Sequence, residues 1–340
     1  MKPANIGAMV LLALLSACKP QVGSPISLIS GPAILVVKGE PAEADPRLSG
    51  AANFQFEALA VDVGGRVPAP TADISSPILW SICNQPKPPT QSNSVSTACL
   101  DQNALPGVAG DSLDTYTALA PSDSCQLFGP LPPPPVGNQP AIRPRDPDVT
   151  GGYYLPVRLS LSVPEGLRRV GMATEDSIVA FQLQRIYCGL ANAKGGDVTQ
   201  YEKEYTLNQN PVIAAFTIEQ PGSGWVQVPP VSPGGPPFPV VAGQPVSLAV
   251  SWPADSVESY PALDVLTQTL VTHKEAMRVS WYTTGGAFEH DVTGRSEFES
   301  ETFADNTWTP GNPGPVHMWV VLHDSRGGTD FASYDFNVTP

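Results

Sequence analysis

The sequence predicts an all-β protein built from two β-sandwich domains. Thirty-nine prolines and thirty glycines among 340 residues favour turns and short strands over long helices. Apolar and polar residues alternate with a period of two in many segments, which places one face of a strand on a core and the other in water. A hydrophobic content of 41% is enough for ordinary cores, and the length suggests two domains.

Residues 1–17 are typical of an export signal, because a short positive start precedes an apolar stretch too short to span a membrane. The stretch ends in Leu15-Ser16-Ala17-Cys18, which resembles the lipobox of bacterial lipoproteins. The resemblance implies cleavage before Cys18, acylation of its thiol with palmitate-type chains, a tether over residues 18–27 and attachment to membrane lipid. The alternative is a plain secretory peptide in which Cys18 merely lies near the cleavage site.

Lys19 bears on which membrane carries the protein, and the net charge bears on which classes of partner are expected. In the lipoprotein family an Asp after the acylated cysteine marks inner-membrane retention, so Lys19 favours the outer membrane or the cell surface. No other run of the chain is apolar and long enough to span a bilayer. The net charge of −14 disfavours nucleic acid and anionic lipid surfaces as partners.

The four cysteines after Cys18 predict two disulfides, because an even number in an exported chain is typical of a disulfide framework. They are Cys83, Cys99, Cys125 and Cys188, and they lack the close pairs of a metal site. Of the three connectivities, we favour Cys83–Cys99 with Cys125–Cys188, since the first pair closes a short polar loop. All four lie in the amino-terminal half, so one domain is cross-linked and the other is not.

The first domain, residues 28–209, contains several strand patterns. They are PAILVVKGEP, NFQFEALAVDVGG, ILWSIC, YYLPVRLSLSV and SIVAFQLQRIYC, the last with Val179, Phe181 and Leu183 on one face. A polar, proline-rich insertion covers residues 84–150 and is either a functional excursion or a disordered insert. Its two cysteines, Cys99 and Cys125, suggest that much of it is held in place. GGDVTQYEKEYTL predicts a helix with Asp197 as N-cap.

The second domain, residues 210–340, has the clearer pattern. Its strands are PVSLAVSW, MRVSWYTTGG, PVHMWVVLHDSRGG and DFASYDFNV, and a long strand, a glycine-rich hairpin and a last strand are how an Ig-like sandwich ends. The segment NTWTPGNPGPVHMWVVLHDSRGG resembles the closing half of PKD-like and related bacterial Ig-like domains. PAILVVKGEPAEADP, FEALAVD and ILWSIC are similar to the first Ig-like module of bacterial surface lipoproteins. These resemblances imply two Ig-like β-sandwich domains, the second PKD-like.

Catalytic motifs are weak. Gly110-Asp111-Ser112-Leu113 spells the GDSL motif of a serine esterase family, but the D-x-x-H sequence that this family uses does not occur in the chain. No buried strand is predicted before Gly110, so Asp111 and Ser112 are better explained as turn residues. No G-x-S-x-G sequence occurs. We therefore expect no catalytic residues.

Metal-binding patterns are also weak. His317 and His323 share a strand face but stand roughly 20 Å apart, so they cannot chelate one ion. The acidic stretch from Glu289 to Asp305 could offer oxygens to calcium, but no D-x-D-x-D-G loop is present and a solvated acidic loop is the better interpretation. We expect no metal and no cofactor.

Three tryptophans, Trp225, Trp308 and Trp319, could stack on sugars if exposed. Trp319 lies on the face opposite Val316 and Met318, which makes it the candidate for glycan stacking. The alternative is that a loop or the neighbouring domain covers it.

The sequence thus predicts a lipid-anchored bacterial surface protein with a non-catalytic role in adhesion, assembly or envelope structure. Its partner would be an unknown protein or glycan, because sandwich domains offer rigid strands and clustered loops for such contacts. The first alternative is a polysaccharide-binding surface module. A hydrolase with its site in residues 84–150 comes third.

Overall fold

The computed structural model describes residues 26–48, 53–67, 78–101, 108–110, 113, 115–135, 137, 143, 149–162, 177–190, 193–220 and 222–340. Within these ranges strands predominate, which confirms the all-β class. The strands form two β-sandwiches with separate hydrophobic cores, one built from residues up to 188 and the other from residue 213 onwards. No helix in the described ranges is long and apolar enough to cross a membrane.

The first sandwich packs a four-stranded sheet against a five-stranded sheet. The four-stranded sheet contains β1 (Ala33–Glu40), β3 (Asn53–Asp62), β4 (Gly65–Arg66) and β7 (Tyr116–Leu119). The five-stranded sheet has the order β2 (Glu43–Ala44), β9 (Ser177–Tyr187), β8 (Gly152–Ser162), β5 (Ile78–Ile82) and β6 (Val108–Gly110). Between the sheets, the rings of Phe56, Trp80 and Tyr116 stack, with 5.2 Å between the centroids of Trp80 and Tyr116.

The described parts of the 84–150 insertion belong to the first sandwich. β6 pairs with β5 and β7 pairs with β3, so the insertion adds one strand to each sheet. A short helix, α1 (Ser124–Phe128), follows β7. Cys83 is bonded to Cys99 and Cys125 to Cys188, with Cα–Cα distances of 5.6 and 5.5 Å. Both predicted disulfides are confirmed, and they fix the insertion to the ends of β5 and β9.

The second sandwich packs two five-stranded sheets and carries a separate hairpin. One sheet has the order β11 (Gly224–Gln227), β10 (Ala215–Gln220), β13 (Val246–Ser251), β19 (Phe303–Thr309) and β17 (Ala287–Phe288). The other, which we call the junction sheet, has the order β12 (Phe238–Val241), β21 (Thr329–Thr339), β20 (Gly314–Asp324), β16 (Met277–Thr283) and β18 (Val292–Arg295). β14 (Ser259–Asp264) and β15 (Thr269–Lys274) form the hairpin.

The face assignments from alternation hold in the second sandwich. The side chains that alternation predicts to point inward all belong to its core or pack against it: Val246, Leu248, Val250, Trp252, Met277, Val279, Trp281, Val316, Met318, Val320, Leu322, Ala332, Tyr334, Phe336 and Val338. In β9 the assignment is wrong. Ile178, Ala180 and Ile186 pack on the core, whereas Phe181 and Leu183 cover the Cys83–Cys99 disulfide on the opposite face. Both faces of β9 carry apolar side chains, so alternation alone does not distinguish them.

The predicted helix forms as α2 (Gly195–Glu204), between the two sandwiches. Its predicted N-cap is wrong, because Lys194 occupies that position. Asp197 lies in the first turn, where a carboxylate interacts favourably with the positive end of the helix dipole.

Candidate functional site

The predicted lipidation site and the central residues of the esterase motif lie in parts of the chain that the structure does not describe. Cys18 lies outside the described residues, and so do Asp111 and Ser112. The four paired cysteines are typical of proteins that fold outside the reducing cytosol. The disulfides therefore indicate a compartment outside the reducing cytosol.

The glycan-stacking prediction for Trp319 is wrong, because this side chain is only 1% exposed. It lies on the outer face of the junction sheet, as expected, but the first sandwich covers that face. Trp319 and Val321 pack there against four residues of the amino-terminal part: Ile29, Val36, Leu59 and Val61. We call these six residues the junction cluster. Leu59 and Val61, on the outward face of β3, are buried for the same reason.

The other two tryptophans differ in exposure. Trp308 is buried in the core of the second sandwich. Trp225, on the edge strand β11, is 50% exposed. Its indole is therefore the one of the three that solvent and ligands can reach.

Two of the histidines, His273 and His317, pair closely with carboxylates. His317 Nδ1 lies 2.7 Å from Asp335 Oδ1, and His273 Nδ1 lies 2.9 Å from Glu297 Oε2. Burial and the nearby Arg278 guanidinium lower the pKa of His323 to about 4. Among the described residues, no group of three or more His, Cys, Asp or Glu side chains could hold a metal ion.

A cleft of about 630 Å³ opens between the two sandwiches, which we call the junction cleft. The first sandwich contributes Glu57 and the turn from Gly64 to Arg66. The second contributes the outer face of β21, the segment from Gln227 to Val231, and His317. Both sandwiches are needed to form this space, since its opposite walls come from different domains.

Two polar pairs from different sandwiches line the cleft. Arg66 Nη2 lies 3.1 Å from Glu57 Oε1, and the Arg66 guanidinium lies 5.8 Å from the ring centroid of Phe331. Facing them, the His317–Asp335 pair is partly exposed. Gly65 has a φ of +118°, and a Cβ at this position would lie 3.3 Å from His317 Cε1. A glycine here therefore lets the turn approach the imidazole closely.

A buried ion pair begins a second feature of the junction. Arg185 Nε donates to Glu43 Oε1 at 3.0 Å, and the two side chains are 2% and 0% exposed. The other carboxylate oxygen of Glu43 accepts from the Tyr205 hydroxyl and from the backbone N–H of Asn208. The amide of Asn208 then donates to Asp324 at 3.2 Å. The pair thus links the first sandwich, through Asn208, to the end of β20.

Arg326 completes this buried network on the side of the second sandwich. Its Nε donates to Glu275 and its Nη2 to Glu258, both at 2.7 Å, and its Nη1 donates to the carbonyl of Thr206 at 3.1 Å. Burial, together with repulsion from Asp324, raises the pKa of Glu275 to about 7. We call the set of Glu43, Arg185, Asn208, Asp324, Arg326, Glu275 and Glu258 the junction network.

The hairpin of β14 and β15 reaches across to the first sandwich. Leu263 donates its backbone N–H to the carbonyl of Val149 at 3.0 Å, and Ala262 and Leu263 are buried. The Arg326 guanidinium lies 4.7 Å from the ring centroid of Tyr260 in the hairpin and 5.7 Å from that of Tyr205 after α2. With the junction cluster and the junction network, the hairpin is the third set of contacts that joins the two sandwiches.

Comparisons with known proteins give distant matches. No family model and no curated protein matches the chain. Domains 4 and 5 of the S-layer protein SbsC align with 90% of this chain and 99% of that chain, at 9% identity and a TM-score of 0.20. The dimeric latent PorU from Porphyromonas gingivalis aligns with 91% of this chain and 24% of its own, at 10% identity and a TM-score of 0.21. Scores at this level carry no statement about function.

Sequence reasoning missed the junction cleft and the junction network. The cleft depends on residues far apart in sequence, and no local pattern brings Arg66 towards His317. One signal for the network was present, since Arg185 interrupts the apolar end of a predicted strand, and a charge in such a position calls for a buried partner.

Proposed function

We propose that this chain is a lipid-anchored component of the bacterial cell surface with a non-catalytic role in adhesion, assembly or envelope structure. The observation that supports this role is the junction, where a buried apolar cluster, a buried ion network and a hairpin hold the two sandwiches together. A stiff two-domain body transmits load and presents its loops at fixed positions. The two disulfides agree with a location outside the cytosol.

The anchoring part is tested with Cys18→Ser in the native host. We expect the native chain to incorporate labelled palmitate and to fractionate with the outer membrane, because acyl chains on Cys18 would hold it there. The variant should lose the label and appear in the soluble fraction. Palmitate incorporation into Cys18→Ser would end the lipoprotein hypothesis.

The non-catalytic part is tested by assaying the purified full chain on panels of esters and glycosides. We expect no turnover above background. Turnover that Ser112→Ala abolishes would revive the hydrolase alternative.

A second candidate function is polysaccharide binding, and the exposed Trp225 favours it. Glu219 lies directly opposite Trp225 in the register of β10 and β11, and Gln227 lies on the same face of β11. An exposed indole beside carboxylate and amide groups is suited to stacking on a sugar ring while bonding its hydroxyls. Weaker hexasaccharide binding by Trp225→Ala would support this function, and unchanged hexasaccharide binding would show that Trp225 does not contact the ligand.

A further inference from the structure

We propose that the junction cleft binds a short, uncharged oligosaccharide, and that Trp225 extends this site along β11. The inference rests on the second candidate function above and gives it a location. The cleft volume of about 630 Å³ lies within the range of about 300–1,000 Å³ that is usual for small-molecule sites.

The polar groups of the cleft match hydroxyl groups. Because an ionised carboxylate only accepts, His317 donates from Nδ1 to Asp335. Glu57 and Asp335 offer further acceptor positions, and the guanidinium of Arg66 and the amide of Gln227 offer donors. A sugar hydroxyl both donates and accepts hydrogen bonds. A lining that contains donors and acceptors can therefore pair with it in both ways.

The apolar part of the cleft matches the other face of a sugar. Pro230 and Val231 line it from the second sandwich, and the ring of Phe331 lies beside the Arg66 guanidinium. Sugar rings present C–H groups between their hydroxyls, and these groups pack on apolar side chains. A mixed lining of this kind fits a saccharide better than a purely apolar ligand.

The charge of the cleft selects against anions. Three carboxylates line it, those of Glu57, Asp330 and Asp335; Arg66 pairs with Glu57 and Lys38 pairs with Asp330 at 2.9 Å, so the carboxylates exceed these two cations by one. Phosphates, uronic acids and sulfated sugars would therefore be repelled. The geometry favours a neutral chain of sugars.

Trp225 lies where a longer ligand would leave the cleft. Gln227 lines the cleft, and Trp225 precedes it by two residues on the same face of β11, about 7 Å along the strand. A sugar chain that passes Gln227 therefore reaches the exposed indole. The cleft would hold the first rings and Trp225 a later one.

Calorimetric titration of the full chain with neutral tri- and hexasaccharides tests the proposal, with uronic-acid oligomers as the anionic arm. We expect a neutral oligosaccharide to bind. Asp335→Asn and Glu57→Gln should weaken both lengths at least tenfold, and Val231→Trp should block the cleft. Trp225→Ala should weaken the hexasaccharide and spare the trisaccharide.

The matched control is Asp305→Asn, which breaks a similar exposed ion pair with Arg295 outside the cleft lining. It should leave binding unchanged, and circular dichroism with thermal melting should show all variants folded. Stronger binding of uronic acids, or neutral binding that survives all three cleft variants, overturns the proposal.

The same titrations distinguish a failure of the cleft proposal from a failure of the polysaccharide-binding function. Binding that Trp225→Ala alone abolishes keeps the polysaccharide function and refutes the cleft. If no neutral saccharide binds, the cleft proposal and the polysaccharide-binding function are both refuted. Palmitate labelling of Cys18 still tests the anchored structural role independently.

Discussion

At the scale of single residues, Trp319 is the clearest case of a side chain whose strand face could be predicted but whose surroundings could not. Alternation in β20 places it opposite Val316 and Met318, and the structure agrees. Its burial depends on β3 of the other sandwich, about 260 residues earlier, through Leu59 and Val61. Nothing local in the sequence encodes that contact, so an outward tryptophan looked available to a ligand.

Replacing Trp319 should destabilise the protein strongly. Trp319→Ala leaves a cavity in the junction cluster, and we expect a loss of about 3–5 kcal/mol in the free energy of unfolding. Urea unfolding followed by circular dichroism measures it. Trp225→Ala is the control, because this half-exposed side chain should change stability by less than about 0.5 kcal/mol. Equal effects of the two variants would contradict the burial of Trp319.

His323 should make stability depend on pH in a defined direction. Its folded pKa of about 4 lies below the ordinary value of 6.5, so the unfolded chain binds a proton that the folded chain does not. The contribution of His323 is present above pH 6.5 and is lost as the pH falls towards 4, by up to about 3 kcal/mol.

The measurement compares urea midpoints of the native chain and of His323→Gln between pH 4 and pH 8. Subtracting the two curves isolates His323, because Glu275 acts in the opposite direction: its raised pKa makes stability fall as the pH rises towards 7. His290→Gln, at a side chain that is 64% exposed, is the control. A difference curve that is flat below pH 6.5 would refute the effect.

At the scale of elements, the strands and disulfides were largely predictable from the sequence. Which face of each strand meets the core was predictable only in part. The turn-bounded segments with alternating residues became β3, β5, β8, β13, β16, β20 and β21. β9 shows the limit, because Gln184 faces inward and donates to the carbonyl of Ala42 at 2.7 Å. Apolar residues on its other face cover a disulfide, so polarity does not report which face meets the core.

The Cys125–Cys188 disulfide should contribute strongly to stability. It joins residues 63 apart, and the chain-entropy model gives about 4 kcal/mol for a loop of that length. We expect Cys125→Ala with Cys188→Ala to lower the urea midpoint of the first sandwich accordingly.

The matched control for this disulfide is Cys18→Ser, which removes a thiol that we predict to be acylated and not paired. It should leave the midpoint unchanged. A double variant that unfolds at the native midpoint would show that the bond adds nothing.

At the scale of the whole molecule, two sandwiches were expected from length and pattern, whereas the contacts between them were not. The junction network joins Glu43, early in the chain, to Arg326, near its end, through Asn208 and Asp324. From the sequence alone, charged residues so far apart are expected to lie on the surface, because nothing local shows that the fold buries them together. The junction cleft is a product of the same packing.

Removing Arg326 should destabilise the junction, because Glu275, which is 0% exposed, would lose its partner beside Asp324. We expect Arg326→Met to cost about 3–5 kcal/mol. Adding Glu275→Gln should recover part of the loss, since the second change removes the unpaired charge. Chemical unfolding of the single and double variants measures both.

Arg295→Met is the control for this prediction. Arg295 pairs with the largely exposed Asp305, and breaking an exposed pair typically costs about 0–1 kcal/mol. A double variant less stable than Arg326→Met would contradict the role assigned to Glu275.

The entry of the chain into the structure determines how a pulling force would pass through the molecule. The Ile29 N–H donates to the Thr283 carbonyl, and the Thr283 N–H donates to the Ser27 carbonyl, each at 2.8 Å. Thr283 ends β16 of the second sandwich, so the segment before β1 is fastened to the carboxy-terminal domain. Tension applied at Ile26 is therefore carried first by these two bonds and only then by β1. A force applied to the amino-terminal side of the chain therefore acts first on the contact between the two sandwiches.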